Sequence, residues 1–486
     1  MAALGLRRLN SISRRQIYQR GRRLFHRQVL SHLFRIVISL LFLPLNSFIL
    51  CVALATAHTA RRAICPKTIL VTGIDTPHGL HLARCWYNQG HRVVGADIAE
   101  ARFPSGGSLS RALVAHYRFS KSHYVSRLLD IVVREKVDIW IPCAQDTSAI
   151  DDGMAKQAVE SRTSCRCVTL DTELASQWSR SESFVQYLIN HGHPIVEHHE
   201  VQFRDSIHRI LHRSPAKAYL IRKTTSAVNM GKFIILPKRT LSSTYSEVSG
   251  IQVSKDSPWI MQQHARLGEF IAEALIIRGH VAAIMLRSAS PGSDGGCSRV
   301  NGGLAAAAHQ VVDKLASQGG SRVTGHFLVR LMVDEQLHLN SVRYEVHIAG
   351  CTQGAAAIAD LLQDMPPRSL VYGYLAILEE APKTSAGGFA RPQVRKSMLS
   401  RSLSVYQAIK MSAYQAIKSH DASKALTASY PVAQKIDWAL NEAGKLMLFW
   451  TDWRFSIIDP QPWWWHTHVY WPFTELDSML ESLKRA

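Results

Sequence analysis

A chain of 486 residues, 47% hydrophobic and 19% charged, is too long for a small disulfide-stapled module and too apolar for a disordered polymer, so two or three packed domains are expected. Its net charge of +20 would suit nucleic acid if spread over one face, but twelve Arg and Lys residues, from Arg7 to Lys67, precede the first acid, Asp75. The surplus sits beside an apolar run, which makes membrane lipid the expected partner and sets nucleic acid aside.

Residues 1–35 form a basic leader, rich in Arg and Ser and free of acids, a composition that also suits a mitochondrial presequence. From Ile36 to Ala57 the run IVISLLFLPLNSFILCVALATA carries no charge over twenty-two residues, the length of a transmembrane helix. Pro44 removes a helix hydrogen bond at its middle and Asn46 needs a polar partner, so a kinked single pass or a re-entrant hairpin is expected for 36–57.

After Lys67, the β-branched run TILVTGI, an amphipathic stretch and GHRVVGADI make a βαβ unit. A further unit follows in YVSRLLDIVVREKVDIWIPCAQD, with Leu128, Leu129, Ile131 and Val132 at helical spacing before a strand at Val137–Ile141. Residues 67–180 therefore read as an α/β domain with a parallel sheet. Gly73 and Gly79 depart from GxGxxG spacing, and Tyr117 with Lys121 forms a YxxxK pair too early for a short-chain reductase, which leaves an NAD(P)-dependent reductase as a minor alternative. Eight scattered cysteines without a CxxC pair read as thiols of a reducing compartment.

The ordered blocks ILVTG, GHRVV, VVREKVDIWIPC, YLIRK at Tyr219–Lys223, PWIMQQ at Pro258–Gln263 and the terminal DPQPWWWHTHVYWP span nearly the whole chain. In that order they resemble ATP-grasp ligases, most closely mycosporine-glycine synthetases and related fungal ATP-grasp proteins. The resemblance implies a pre-ATP-grasp domain at 67–180, an ATP-grasp fold at 181–382, ATP and Mg²⁺ as cofactors, and the joining of a small-molecule carboxylate to an amine through an acyl phosphate in secondary metabolism. A carrier protein is an additional expected partner. It also favours the hairpin topology, because a hairpin keeps the large domain in the cytosol with its ATP.

Carried over residue by residue, the resemblance places phosphate contacts at Arg222 and Lys223, the adenine pocket at Met261, Gln262 and Gln263, and a ribose or phosphate-side contact at Glu269. Its metal ligands are an acid on one strand and a Glu-x-Asn-Pro-Arg motif on the next, since Mg²⁺ prefers carboxylate and amide oxygens. In GHFLVRLMVDEQLHLNSVRYEVHIAG the first acid falls on Arg330. Two alignments of the second strand put its Glu on Arg343 or Ser341, leaving Glu345 as the remaining metal ligand. The early ATP-binding lysine is replaced at about Ser181. These departures support a second reading, a degenerate ATP-grasp scaffold without turnover.

Residues 288–320 begin as a Gly/Ser loop and become helix-like near Leu304, and 383–425 read as a basic linker in which YQAIK occurs twice. The Trp-rich element 426–486 suits either core packing or a membrane interface, where it would dock the domain beside its leader. His466 and His468 leave a catalytic zinc short of a ligand and are expected to be packed or hydrogen-bonded.

Overall fold

The computed structural model describes residues 36–37, 39–52, 54–55, 65–98, 103–214, 217–223, 234–253, 259–264, 267–289, 300–338, 341–379, 452–456 and 458–485. The basic leader and the 383–425 linker lie outside them. The chain divides into two compact units, residues 1–120 with 385–486, and residues 121–384.

In the first unit the β-branched runs form the expected parallel strands β1 (Thr68–Thr72), β2 (Arg92–Ile98) and β3 (Ala115–Phe119), in the order β3–β2–β1. Helix α1 (Pro77–Asn88) starts where Pro77 fits the first turn and the Thr76 side chain accepts from the Gly79 N–H. A Cβ at Gly79 would come within 2.1 Å of the Gly73 carbonyl oxygen, so this glycine pair is a packing requirement of the strand-to-helix turn.

The C-terminal segment belongs to the same unit. Its helices Gln461–Trp465 and Trp471–Arg485 are joined by a π turn at His466–Tyr470. Buried Asp459 holds it in place: its carboxylate accepts from Arg84 Nε (2.9 Å), Ser110 Oγ (2.6 Å) and the Arg111 N–H (2.9 Å). Trp463 is fully buried, edge-on to Phe455 at 5.3 Å, and Trp465 donates its indole N–H to the Pro104 carbonyl at 3.0 Å. The aromatic cluster is thus divided, with Trp463 in the core and Trp464 and Trp465 half-buried with bonded indole nitrogens.

The segment expected to cross a membrane is helical at 36–37, 39–52 and 54–55, and the helix runs through Pro44. Among the described residues no helix is long and apolar enough to cross a membrane, so a spanning 36–57 segment is not supported. The polar residues that would burden a span face the protein: Ser39 Oγ donates to the Thr467 carbonyl (2.8 Å), and the Asn46 amide nitrogen lies 3.0 Å from His468 Nε2.

The second unit opens with α2 (Tyr124–Glu135), whose predicted apolar stripe buries Leu128, Ile131 and Val132, and with parallel β4 (Ile139–Pro142) and β5 (Arg166–Cys167) flanking α3 (Ala149–Glu160). Helices α4 (Thr172–Ser179) and α5 (Ser181–Asn190) follow. An antiparallel sheet then forms from β6 (His198–Val201), β7 (Ala218–Lys223), β8 (Ile234–Leu236) and β9 (Trp259–His264), ordered β6–β9–β7–β8. Its core joins Val201, Tyr219, Ile221 and Met261 to Ile207 of α6 (Arg204–Arg213) and Val248 of α7 (Leu241–Gly250).

A second antiparallel sheet, ordered β11–β10–β12–β13, comprises β10 (Gly268–Ile277), β11 (His280–Ser288), β12 (Gly325–His338) and β13 (Ser341–Gln353). Helix α8 (Gly302–Gly319), capped by the Asn301 side chain accepting from the Leu304 N–H at 2.8 Å, lays Leu304, Ala308, Val312 and Leu315 against one face of it. The parallel strands and the two antiparallel sheets are the α/β and α+β mixture that the sequence leads one to expect.

Replacing Asp459 by Ala removes one of the acceptors of the half-buried Arg84 guanidinium, which keeps the Arg454 and Asp459 carbonyls, and should lower stability by about 2 kcal/mol, read as a lower urea midpoint by circular dichroism. Asp459→Asn, which keeps an acceptor oxygen, should lose less.

Candidate functional site

Strand alternation gives the β11–β10–β12–β13 sheet two unlike faces. Phe270, Ala272, Ala274, Val329, Leu331, Val333, Val346 and Ile348 face α8 and are buried. The intervening positions carry Glu269, Glu273, Arg287, Arg330, Asp334, Glu345 and His347. In register, Glu269 pairs with Met332, Met332 with His347, and Asp334 with Glu345.

Two of these charges are scaffolding. Glu273 is buried and accepts from Arg287 Nε (3.1 Å) and the Leu361 N–H (2.8 Å), and burial holds its carboxyl above the ordinary carboxylate range. Arg330, on which the family's first acid falls, is exposed and lies 3.9 Å from Glu269 of the neighbouring strand. That pairing occupies Glu269 loosely, and in solvent it is worth less than about 1 kcal/mol.

The pairing of Asp334 with Glu345 was not read from the sequence. The register of β12 and β13 sets the two residues directly across the ladder from each other, on the same face. The signal for it lay in the alternation of LVRLMVD and RYEVHI, whereas fitting the strand to an expected motif placed the acid on Arg330. Like charges directly opposed across a ladder repel, which favours a cation or a donor beside them. One donor is present: Gln263 Nε2 lies 3.2 Å from Asp334 Oδ2.

Gln263 ties the two antiparallel sheets together. Its backbone N–H donates to the Glu197 carbonyl at 2.8 Å, and the Ile348 N–H of β13 donates to the Pro194 carbonyl at 2.8 Å. A hydrogen bond from Lys217 holds the Glu197 carboxyl below its ordinary range, and Tyr219 Oη also donates to it at 3.1 Å. Gln263 and Asp334 thus meet where the two sheets join, and Glu345 stands opposite Asp334 on β13, while half-buried Gln262 alternates to the other face of β9.

The other expected site residues fall as follows. Met261 is fully buried in the β7–β9 core, and β9 runs between β6 and β7, so the ladder engages its backbone on both sides. A base could not take hydrogen bonds from that stretch of strand without breaking the sheet, and Met261 is a core residue. Arg222 and Lys223 occupy β7 opposite Ile260 and Trp259; their side chains lie outside the described residues. Ser181 is exposed at the first turn of α5. Among the described residues no group of three or more His, Cys, Asp or Glu side chains could by itself hold a metal, so Glu345 gains one carboxylate partner rather than a full ligand cage.

Elsewhere in the second unit a cavity of about 220 Å³ is lined by Gln145, Thr147, Asp152, Thr169, His326 and Gln353, among others. Tyr124 Oη donates to Asp152 Oδ1 at 2.6 Å, yet burial pushes this carboxyl up to about 6. In the first unit His466 and His468 are held neutral by burial, down to about 3 and about 4, and both ring nitrogens of His468 lie within hydrogen-bond distance of Ser39 and Asn46.

No family model and no curated protein matches the chain. Solved structures similar to it include the biotin carboxylase domain of a thermophilic 2-oxoglutarate carboxylase bound to ADP, at 10% identity over 66% of this chain and 71% of that one, with a TM-score of 0.45. Phosphoribosylglycinamide synthetase from Anaerococcus prevotii is 14% identical over 65% and 76%, with a TM-score of 0.41. N5-carboxyaminoimidazole synthetase from Staphylococcus aureus is 12% identical over 61% and 72%, with a TM-score of 0.36.

Two outcomes follow from this geometry. Gln263→Glu sets a third carboxylate against Asp334 and should cost about 1–3 kcal/mol at pH 7, a deficit that shrinks at pH 4 as the acids protonate, measured by thermal melts at both values. For Asp152, a folded pKa above its ordinary value means stability is fullest below about pH 4 and is lost as pH rises through about 6. Asp152→Asn should therefore gain on the wild type between pH 4 and pH 7, by on the order of 2–3 kcal/mol.

Proposed function

We propose that the chain is an ATP-grasp protein and that its second unit binds ATP with Mg²⁺ at the junction of the two antiparallel sheets, in the service of carboxylate–amine ligation. The observation that carries this reading is the Asp334–Glu345 pair, two acids aligned across one ladder beside the Gln263 amide. Mg²⁺ is commonly held by one or two carboxylates together with substrate phosphates, so a pair with no third acidic, His or Cys ligand among the described residues fits that ion better than it fits zinc or calcium. Asp334 and Glu345 would hold the metal, and the metal would neutralise phosphate charge during phosphoryl transfer.

Around it, Gln263 orients Asp334 through its amide, and Gln262 is the neighbouring position proposed from the resemblance for the adenine pocket. Arg222 and Lys223 are the phosphate contacts proposed from the resemblance, and ligation would proceed by phosphoryl transfer to a substrate carboxylate followed by attack of an amine. A role in secondary metabolism, with small-molecule or carrier-bound substrates, belongs to the same proposal.

A second reading, a scaffold that binds nucleotide without turnover, is favoured by Arg330 and Arg343, which put exposed cations on the strands where the family places acids. A nicotinamide-dependent reductase is disfavoured by the surroundings of the residues that suggested it. Gly79 is explained by packing, and Lys121 of the YxxxK pair donates to the Asp146 carbonyl at 2.6 Å. Beyond β1, Asp75 meets the charge of Arg454 from the chain's own C-terminal segment.

Calorimetric titration of ATP into the full chain, with and without Mg²⁺, separates these readings. Ligation predicts binding that Mg²⁺ strengthens, and Asp334→Asn or Glu345→Gln should erase most of that gain, roughly tenfold in affinity or about 1.4 kcal/mol. ATP binding indifferent to both metal and substitutions would favour the scaffold, and absence of ATP binding by folded protein would remove both.

A further inference from the structure

The N-terminal helix is amphipathic in the inverse sense to a surface helix of a water-soluble domain. Ser39 and Asn46, seven residues apart and so on one face, are buried at 1% exposure and bonded to the C-terminal segment. Ser47 joins them, accepting the Trp464 indole N–H at 3.2 Å, and Ser39 Oγ also lies 3.2 Å from His468 Nδ1. On the opposite side Val37, Leu41, Phe48 and Val52 stand out at 61, 68, 67 and 47% exposure, with Leu40 and Leu45 beside them. A helix that spends its polar side chains on the protein and shows its large apolar ones outward is matched to an apolar medium.

We propose that this outward face rests in an anionic lipid bilayer, with the polar stripe clamped by His468 and Trp464 of the C-terminal segment. The charge of the chain selects the occupant. Nine arginines precede the helix, and Arg61, Arg62 and Lys67 follow it, with no acid before Asp75, which suits a negatively charged headgroup layer and opposes close approach of a second copy carrying the same cations. The helix is anchored to the folded unit along its length, from Ser39 to Ser47, so the first unit is carried to the lipid surface as one body with it.

The test is flotation of the full chain with vesicles of phosphatidylcholine alone or with three-tenths phosphatidylserine. The expected result is flotation that depends on phosphatidylserine and falls at least tenfold in Leu41→Asp/Phe48→Asp, while the unchanged thermal midpoint of this variant shows that two exposed positions were altered without unfolding. Equal flotation of variant and wild type overturns the proposal. So does a lipid-free dimer that the same double substitution converts to monomer in a protein that does not float, since a second copy would then cover the face.

Discussion

The second unit depends on the unequal faces of one strand. β12 runs fourteen residues between β10 and β13, with Val329, Leu331 and Val333 against α8 and Arg330, Met332 and Asp334 on the other side. Each buried aliphatic contributes about 1.5–3 kcal/mol. A one-residue slip would exchange the two sets, burying charge and exposing the core. Hydrophobic alternation therefore fixes which face the acids are on, and the observed register sets Asp334 opposite Glu345.

The junction with the first antiparallel sheet has a related origin. Gln263 follows buried Met261 by two residues and is itself buried, so its amide can reach Asp334 only because the core side of β9 ends there. The same alternation that removes Met261 from solvent delivers Gln263 to the other sheet. A polar residue at the close of an apolar strand acts as a connector between sheets.

Much of the fold was legible from local pattern. TILVT, RVVGADI and IWIP announced strands by β-branching, α2 by its apolar spacing, and β7, β9, β12 and β13 by blocks with ATP-grasp likeness. The site was less legible for two physical reasons. Register across β12 and β13 depends on the connection between them, so matching residues to a motif placed the acid on Arg330 and passed over Asp334. Membrane character was read from a run of uncharged residues, but hydropathy along a chain does not say which way Ser39 and Asn46 turn. Their partners, Thr467 and His468, lie more than 420 positions away, beyond any local signal.

The first unit draws on both ends of the chain, residues 1–120 and 385–486, and Asp459 with Arg84 joins them. During synthesis its strands emerge first, but their C-terminal complement emerges last. Residues 121–384 form a compact unit of their own and are synthesised before that segment. Until Asp459, Trp463 and His468 arrive, Arg84, Ser39 and Asn46 have no partners from that segment. The contact of Arg84 with Asp459 therefore cannot form until 375 further residues have been synthesised.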